Sequence, residues 1–239
     1  MRAIVLDIEG TTTPIAFVRD TLFPYARREL RRFLDAEGAP QVRSIAADLH
    51  REHVRDAAAS ADVPEWSGAT PAERRDSIVR YVTWLMDRDR KSTALKALQG
   101  RIWQKGYTAG ELLAPVYADV PAGLHRWRGL GVGVGIFSSG SVLAQQLLFR
   151  HSVAGDLTPL IQWHFDTSVG AKIAVQSYRR IAAAIDAPPA EILFISDVVR
   201  ELDAARDAGL HTILCHRAGE PHPGDHHGHP VIASFDELS

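Results

Sequence analysis

The chain has 239 residues, 46% of them hydrophobic, and a net charge of −2. That length supports one generous core, or a core with a smaller inserted domain, and the near balance of 27 Lys and Arg against 29 Asp and Glu argues against a nucleic-acid binder. The only cysteine, Cys215, excludes an intrachain disulfide and fits a reducing cytoplasm, and neither a signal peptide nor a membrane span is expected.

In chain order, "RAIVLD" (2–7) reads as a short buried strand. It ends in two carboxylates, Asp7 and Glu9, one residue apart, followed by Gly10 and three threonines. Two like charges that close repel each other unless a cation lies between them. The next stretch, 15–118, reads as helical. "YARRELRRF" (25–33) spaces its arginines as the solvated face of an amphipathic helix rather than as a basic patch. Residues 71–89 put Ile78, Val82, Leu85 and Met86 on one helical face, with Pro71 where a first turn tolerates it. Residues 92–103 add Leu95, Leu98 and Ile102.

Three further apolar runs read as buried parallel strands: "VGVGIFSS" (132–139), "EILFIS" (191–196) and "HTILC" (211–215), the last making Cys215 a buried hydrophobe. Helical patterns separate them. Residues 141–149 start on Ser141 as an N-cap, 175–185 follow, and 200–209 end on Gly209 as a C-cap. Alternating strands and helices of this kind predict an α/β fold with a doubly wound parallel sheet. The expected core is 1–14 with 119–239, and 15–118 is an inserted all-helical cap hanging over the two carboxylates. The histidine-rich stretch 217–230, with His222, His226, His227 and His229, can in principle bind metal but is read as a solvated loop.

In open α/β sheets ligands bind beyond the carboxyl ends of the strands. Those ends carry Asp7 and Glu9, then Ser138, Ser139 and Gly140, then Asp197 and Glu201, while Lys172 precedes the helix at 175. Each has a bland reading: a turn residue, a helix cap or a surface charge. In this order and at these positions they share one purpose. Clustered carboxylates hold Mg²⁺ together with a substrate phosphate. Hydroxyls and the N–H groups of a glycine turn receive the phosphate. A lysine offsets the remaining negative charge. A carboxylate beside such cations stays anionic and can attack phosphorus, with screening of charge as the largest catalytic effect.

The order "DIEGTT", "FSSGS", "GAK", "SDVVRE" resembles the haloacid dehalogenase superfamily of aspartyl phosphotransferases, and more closely its enolase-phosphatase branch, over nearly the whole chain. Ordinary members of the superfamily carry Asp-x-Asp where this chain has Asp7 and Glu9, so Glu9 marks the branch. The tail from Pro221 onward matches nothing in it. The resemblance implies that Asp7 is the nucleophile and a metal ligand, that Glu9 gives a metal-binding oxygen and serves in acid–base work, and that Ser138, Ser139 and Gly140 hold the phosphate. Lys172 matches the superfamily lysine, Asp197 completes a site for one Mg²⁺, and Glu201 lies in or near its surroundings.

The expected substrate is a small phosphate ester, 2,3-diketo-5-methylthiopentyl 1-phosphate, enolised and then dephosphorylated in a cytoplasmic monomer of methionine salvage. The enolisation base is either Glu9 or Lys172, with Glu9 preferred, and Phe17, Phe23, Trp103 and Tyr107 are candidates for the methylthio end. One rival is another phosphatase or phosphomutase of the superfamily. A second, a receiver domain, is about half this length, lacks an insertion and places its lysine after the last acidic cluster.

Overall fold

A computed structural model describes residues 1–36, 40–222 and 224–238. Its elements run β1 (Ala3–Leu6), α1 (Ile15–Phe17), a π-helical turn (Val18–Leu22), α2 (Phe23–Ala36), α3 (Pro40–Ala59), α4 (Pro71–Asp87), α5 (Thr93–Thr108), α6 (Asp119–Gly129), β2 (Gly133–Phe137), α7 (Val142–Arg150), β3 (Trp163–Phe165), α8 (Val175–Ile185), β4 (Ile192–Ser196), α9 (Val199–Asp207), β5 (His211–Cys215) and β6 (Val231–Ile232). They form two compact units, Met1–Asp20 with Gly110–Ser239, and Thr21–Ala109.

The first unit is built on one sheet in the order β3-β2-β1-β4-β5-β6, with every pairing parallel. The strands are continuous apolar runs because both faces are covered, and β1, β2 and β4 are buried throughout. The chain builds outward from β1 to β3, then crosses back to β4 beside β1, so the order reverses between β1 and β4. That reversal opens a crevice at the carboxyl ends of the strands. Leu6 is level with Ile136 and Ile195, so Asp7 emerges beside Ser196 and just before Ser138.

Helices α8 and α9 close one face over a core that includes Val5, Phe137, Tyr178, Ile181, Phe194 and Leu202. Tyr178 packs on Phe137 and Phe194 at ring separations of 5.6 and 5.0 Å. Burying a ring of this kind stabilises by about 1.5–3 kcal/mol. Its hydroxyl is not wasted: it donates to the Lys172 carbonyl at 2.7 Å, tying the loop that carries the lysine to the core.

The four expected strands are present, β5 with its expected bounds and the other three shorter at their ends. Two edge strands, β3 and β6, were not expected; at three and two residues they are too short to show periodicity. Ser141 caps α7 as anticipated, accepting from the Ala144 N–H at 3.3 Å, and Gly209 follows α9 at φ +92°, a conformation that favours glycine.

The second unit is helical. Thr70 and Glu73 form a reciprocal capping box at the start of α4, with Pro71 in its first turn, and Ser92 caps α5 through the Leu95 N–H at 2.9 Å. Ile78, Val82 and Leu85 are buried as their spacing predicts, while Met86 is half-buried. Trp103 is buried and donates its Nε1–H to the Leu22 carbonyl at 2.8 Å. Gly106 lies where an added Cβ would run into the Tyr25 ring, which lets α2 and α5 approach closely. Of the aromatics considered for substrate contact, Phe17, Trp103 and Tyr107 are buried and Phe23 is half exposed.

The C-terminal stretch is more than a solvated loop, although Pro223 lies outside the described residues. His229 is buried, its Nε2–H donating to Asp203 Oδ1 (3.1 Å) and its Nδ1 hydrogen-bonded to Thr212 Oγ1 (2.8 Å). Arg217 is also buried, paired with Asp119 at 2.7 Å. The remaining histidines of the tract, His222, His226 and His227, stay at the surface.

Candidate active site

The site residues lie beyond the carboxyl ends of four strands: Asp7 and Glu9 after β1, Ser138, Ser139 and Gly140 after β2, Lys172 in the loop after β3, and Asp197 and Glu201 after β4. Asp7, directly after β1, is 4% exposed. Its Oδ1 accepts from Lys172 Nζ at 2.6 Å and from the Ile8 N–H at 2.7 Å. Lys172 also reaches Glu201 Oε2 at 2.7 Å, so one buried ammonium bridges two buried carboxylates. Burial alone would lower the lysine pKa, but the Asp7 and Glu201 charges outweigh it and push the ammonium pKa up. Lys172 therefore keeps its proton at neutral pH.

Glu201 sits in the first turn of α9, where the helix dipole also favours an anion. Burial, and then the Asp7 charge, raise its pKa. Ser196, which the sequence presents only as the last residue of an apolar run, joins the group by donating to Asp7 Oδ2 at 3.3 Å or Glu201 Oε2 at 3.1 Å.

The turn after Asp7 is tightly wound. The Ile8 carbonyl accepts from the N–H groups of Thr11, Thr12 and Thr13 at 3.2, 2.9 and 2.9 Å, and the Gly10 N–H donates to the Thr13 carbonyl at 2.8 Å. Gly10 holds φ +71°, and a Cβ there would collide with the Asp197 carboxylate. Asp197, after β4, is thus packed directly against the turn that carries Glu9, which is itself half-buried.

The Asp197 Oδ1 is buried and has no hydrogen-bond partner among the described residues. Burial, then the nearby Asp7 charge, push its pKa up to about 7. A buried carboxylate oxygen without a donor among the described residues, repelled by the nearby Asp7 charge, fits a hard cation. Among the described residues no three His, Cys, Asp or Glu side chains already form a cage. Mg²⁺ typically takes only one or two carboxylates and fills its octahedron with water and substrate oxygens.

On the other side of β1, Ser138 is buried and its Oγ accepts the Gly140 N–H at 3.1 Å. Ser139 is exposed and Gly140 half-buried. Gln145, buried in α7, donates to the carbonyls of Gly140 and Phe165 at 3.1 and 2.7 Å, locking this loop against β3. The structure thus joins Asp7, Lys172 and Glu201 by direct contact, sets Asp197 against the Gly10 turn, and holds Ser138 and Gly140 together one strand away. Sequence reading missed Ser196 and Gln145, whose only signal is that each adjoins a motif already singled out.

The pKa shifts give a metal-free expectation. Asp197 and Glu201 have folded pKa values above their ordinary 3.8 and 4.5, so the folded state binds protons more tightly than the unfolded chain. Their contribution is greatest at acidic pH and is lost as pH rises through about 7 for Asp197. Thermal melts in a chelator should show wild type losing stability relative to Asp197→Asn as pH rises across that window. Mg²⁺ should restore the loss at neutral pH. Parallel curves for the two proteins would contradict this electrostatic reading.

A family model described as haloacid dehalogenase-like hydrolase matches residues 1–209. The chain is 47% identical to enolase-phosphatase E1 of Synechococcus elongatus, covering 98% of this chain and 96% of that protein. It is 45% identical to enolase-phosphatase E1 of Pseudomonas aeruginosa, covering 100% and 98%. A crystal structure of the Saccharomyces cerevisiae Unknown transcript 4 protein superposes with a TM-score of 0.81 at 33% identity, covering 99% of each chain.

Proposed function

The chain belongs to the haloacid dehalogenase-like hydrolases and, within them, to the enolase-phosphatases, and on that footing we propose that it converts 2,3-diketo-5-methylthiopentyl 1-phosphate to acireductone. The reaction has two parts, enolisation and then hydrolysis of the phosphate ester through an aspartyl phosphate on Asp7. The observation that carries this reading is the buried Lys172 bridge between Asp7 and Glu201 at the point where the strand order reverses.

Asp7, Glu9 and Asp197 would hold one Mg²⁺, which when bound supplies positive charge against the phosphate and the enolate oxygen. The protein's own groups do the rest. Lys172 Nζ and the Ile8 N–H fix Asp7 Oδ1. Among the described residues Oδ2 meets only the longer Ser196 contact, and it is the oxygen that attacks phosphorus. The Ser138 and Ser139 hydroxyls and the Gly140 turn receive the phosphate oxygens, near the N-terminus of α7, where N–H groups point outward.

Lys172 holds its proton and so acts as a charge, not as a base. That leaves Glu9, of the two groups considered, to take the proton α to the carbonyl and later to return one to the leaving oxygen. Glu201 and Ser196 keep Lys172 and Asp7 in register. On the same footing, 1–14 with 119–239 is read as the catalytic core and 15–118 as the substrate-selecting cap. The chain is read as a cytoplasmic monomer of methionine salvage that binds neither nucleic acid nor membrane. No helix among the described residues is long and apolar enough to cross a membrane.

A substrate panel tests the proposal. The diketo phosphate should be turned over with a kcat/KM at least about 100-fold above those of sugar phosphates, the scale of selectivity that buried complementary contacts provide. Strong turnover of sugar phosphates with none of the diketo phosphate would favour the general phosphatase reading instead.

A further inference from the structure

The turn that aims Asp7 and Glu9 satisfies its inner carbonyl, that of Ile8, from within. Two of its outer carbonyls are held from elsewhere in the chain. Arg217 Nε donates to the Thr11 carbonyl at 2.9 Å, across 206 residues of sequence, and the Tyr117 N–H donates to the Thr12 carbonyl at 3.1 Å. Just beyond the turn, Glu220 accepts from the Ile15 N–H at 3.1 Å and from the Tyr117 hydroxyl at 2.6 Å.

Arg217 is itself held by two rings and by the partners of its Nε and Nη1. Its guanidinium lies between the rings of Tyr117 and Phe235, each centred 4.5 Å away. Its Nη1 donates to Asp119 Oδ2 at 2.7 Å and to the Ala233 carbonyl at 3.1 Å. Asp119 Oδ2 also takes Ser234 Oγ at 3.1 Å and the Phe235 N–H at 2.5 Å.

Such a buried ion pair is poor evidence of a stabilising role, because desolvation offsets most of its attraction. The cost is higher here because Arg217 Nη2 is buried with no partner among the described residues. An apolar side chain could fill the space between two aromatic rings. What it could not do is hold the Thr11 carbonyl at a set angle and distance.

We propose that Arg217 is a positioning residue for the catalytic turn: by gripping the Thr11 carbonyl it sets the placement of Glu9 and Gly10 against Asp7 and Asp197, and so the fit of the site to cation and phosphate. This rests on the functional reading above, since it takes Asp7 and Glu9 as the working carboxylates. Arg217 and Glu220, which the sequence presents in the loop 217–230, are then part of the machinery that shapes the site.

The test compares Arg217→Lys, Arg217→Met and a destabilising control, Ile185→Ala, which is buried at the end of α8 away from the turn. Lysine keeps a charge for Asp119 but lacks the planar fork. Both Arg217 variants should lose about 10- to 100-fold in kcat, with KM within about threefold and the Mg²⁺ concentration for half of the thermal shift raised about tenfold, the scale seen for groups that orient metal ligands. Ile185→Ala should keep wild-type kcat and Mg²⁺ response at a comparably lowered Tm.

Arg217 variants that follow Ile185→Ala in kcat and Mg²⁺ response would overturn the inference, as would full rescue by lysine. The Mg²⁺-induced shift in Tm needs no substrate. It therefore decides the role of Arg217 even if the diketo phosphate proves not to be turned over, an outcome that would count against the proposed reaction alone. If Arg217→Met does not fold, Arg217→Lys decides by the same two readouts.

Discussion

Asp7→Asn is expected to abolish phosphate release, with kcat reduced on the order of 10⁴-fold or more, as when a nucleophile that acts with its whole constellation is removed. At 1.36 kcal/mol per tenfold, that is about 5.5 kcal/mol of lost transition-state stabilisation. The amide is nearly isosteric and can still accept from Lys172 through its oxygen, so the protein should fold and bind the ester. Quench-flow measurement of phosphate, together with a melt to confirm folding, checks the result. Phosphate release within tenfold of wild type would remove Asp7 from the nucleophile's role. Enediol phosphate accumulating in the variant would separate the two half-reactions and show that enolisation does not need the Asp7 carboxylate.

Lys172→Met carries the next largest effect, and it acts on stability as well as rate. The lysine, Asp7 and Glu201 side chains are 8%, 5% and 11% exposed, so removing the ammonium strands two carboxylates in the interior. Breaking such a pair costs about 3–5 kcal/mol, or a drop of about 10 °C in Tm for a chain of this size, measured without Mg²⁺. The rate should fall about 10²- to 10³-fold, the usual loss when one charge that stabilises the transition state is removed. Adding Glu201→Gln removes one stranded anion. The double variant should regain most of the Tm but none of the rate. A double variant that regained activity would show that Lys172 serves only to neutralise Glu201.

Much of this site was legible in the sequence because the fold forces it to be. A parallel strand buried on both faces must be apolar from end to end, so the polar residues at its exit stand out. Asp7, Ser138 and Asp197 are found that way, and the order of the strands brings them to one crevice. Lys172 is harder to see, because it sits on a loop after a strand, β3, too short to announce itself. Its burial depends on Tyr178 and on two carboxylates more than 20 residues away in either direction.

What could not be read is whatever rests on long-range partnership. Ser196 has the pattern of a strand residue, and only register shows it level with Asp7. Arg217 and Asp119 look like two surface charges 98 residues apart, and periodicity says nothing of who meets whom. His229 likewise belongs to a tract whose composition suggests a solvated loop, yet it is buried against Asp203 and Thr212. The motifs that carry the enolase-phosphatase resemblance all lie before Pro221, although the relatives align over 98–100% of the chain, so those motifs offered no help with the later part of that tail.

In the proposed reaction one Mg²⁺-dependent site both enolises and dephosphorylates a single diketo phosphate. The most direct measurement is an anaerobic assay of the wild-type chain with 2,3-diketo-5-methylthiopentyl 1-phosphate, following the ultraviolet absorbance of acireductone and the release of phosphate together, with Mg²⁺ and with chelator. Both signals should rise in equal amounts with Mg²⁺ and both should vanish with chelator. Phosphate release without acireductone absorbance, or neither signal in the presence of Mg²⁺, would contradict it.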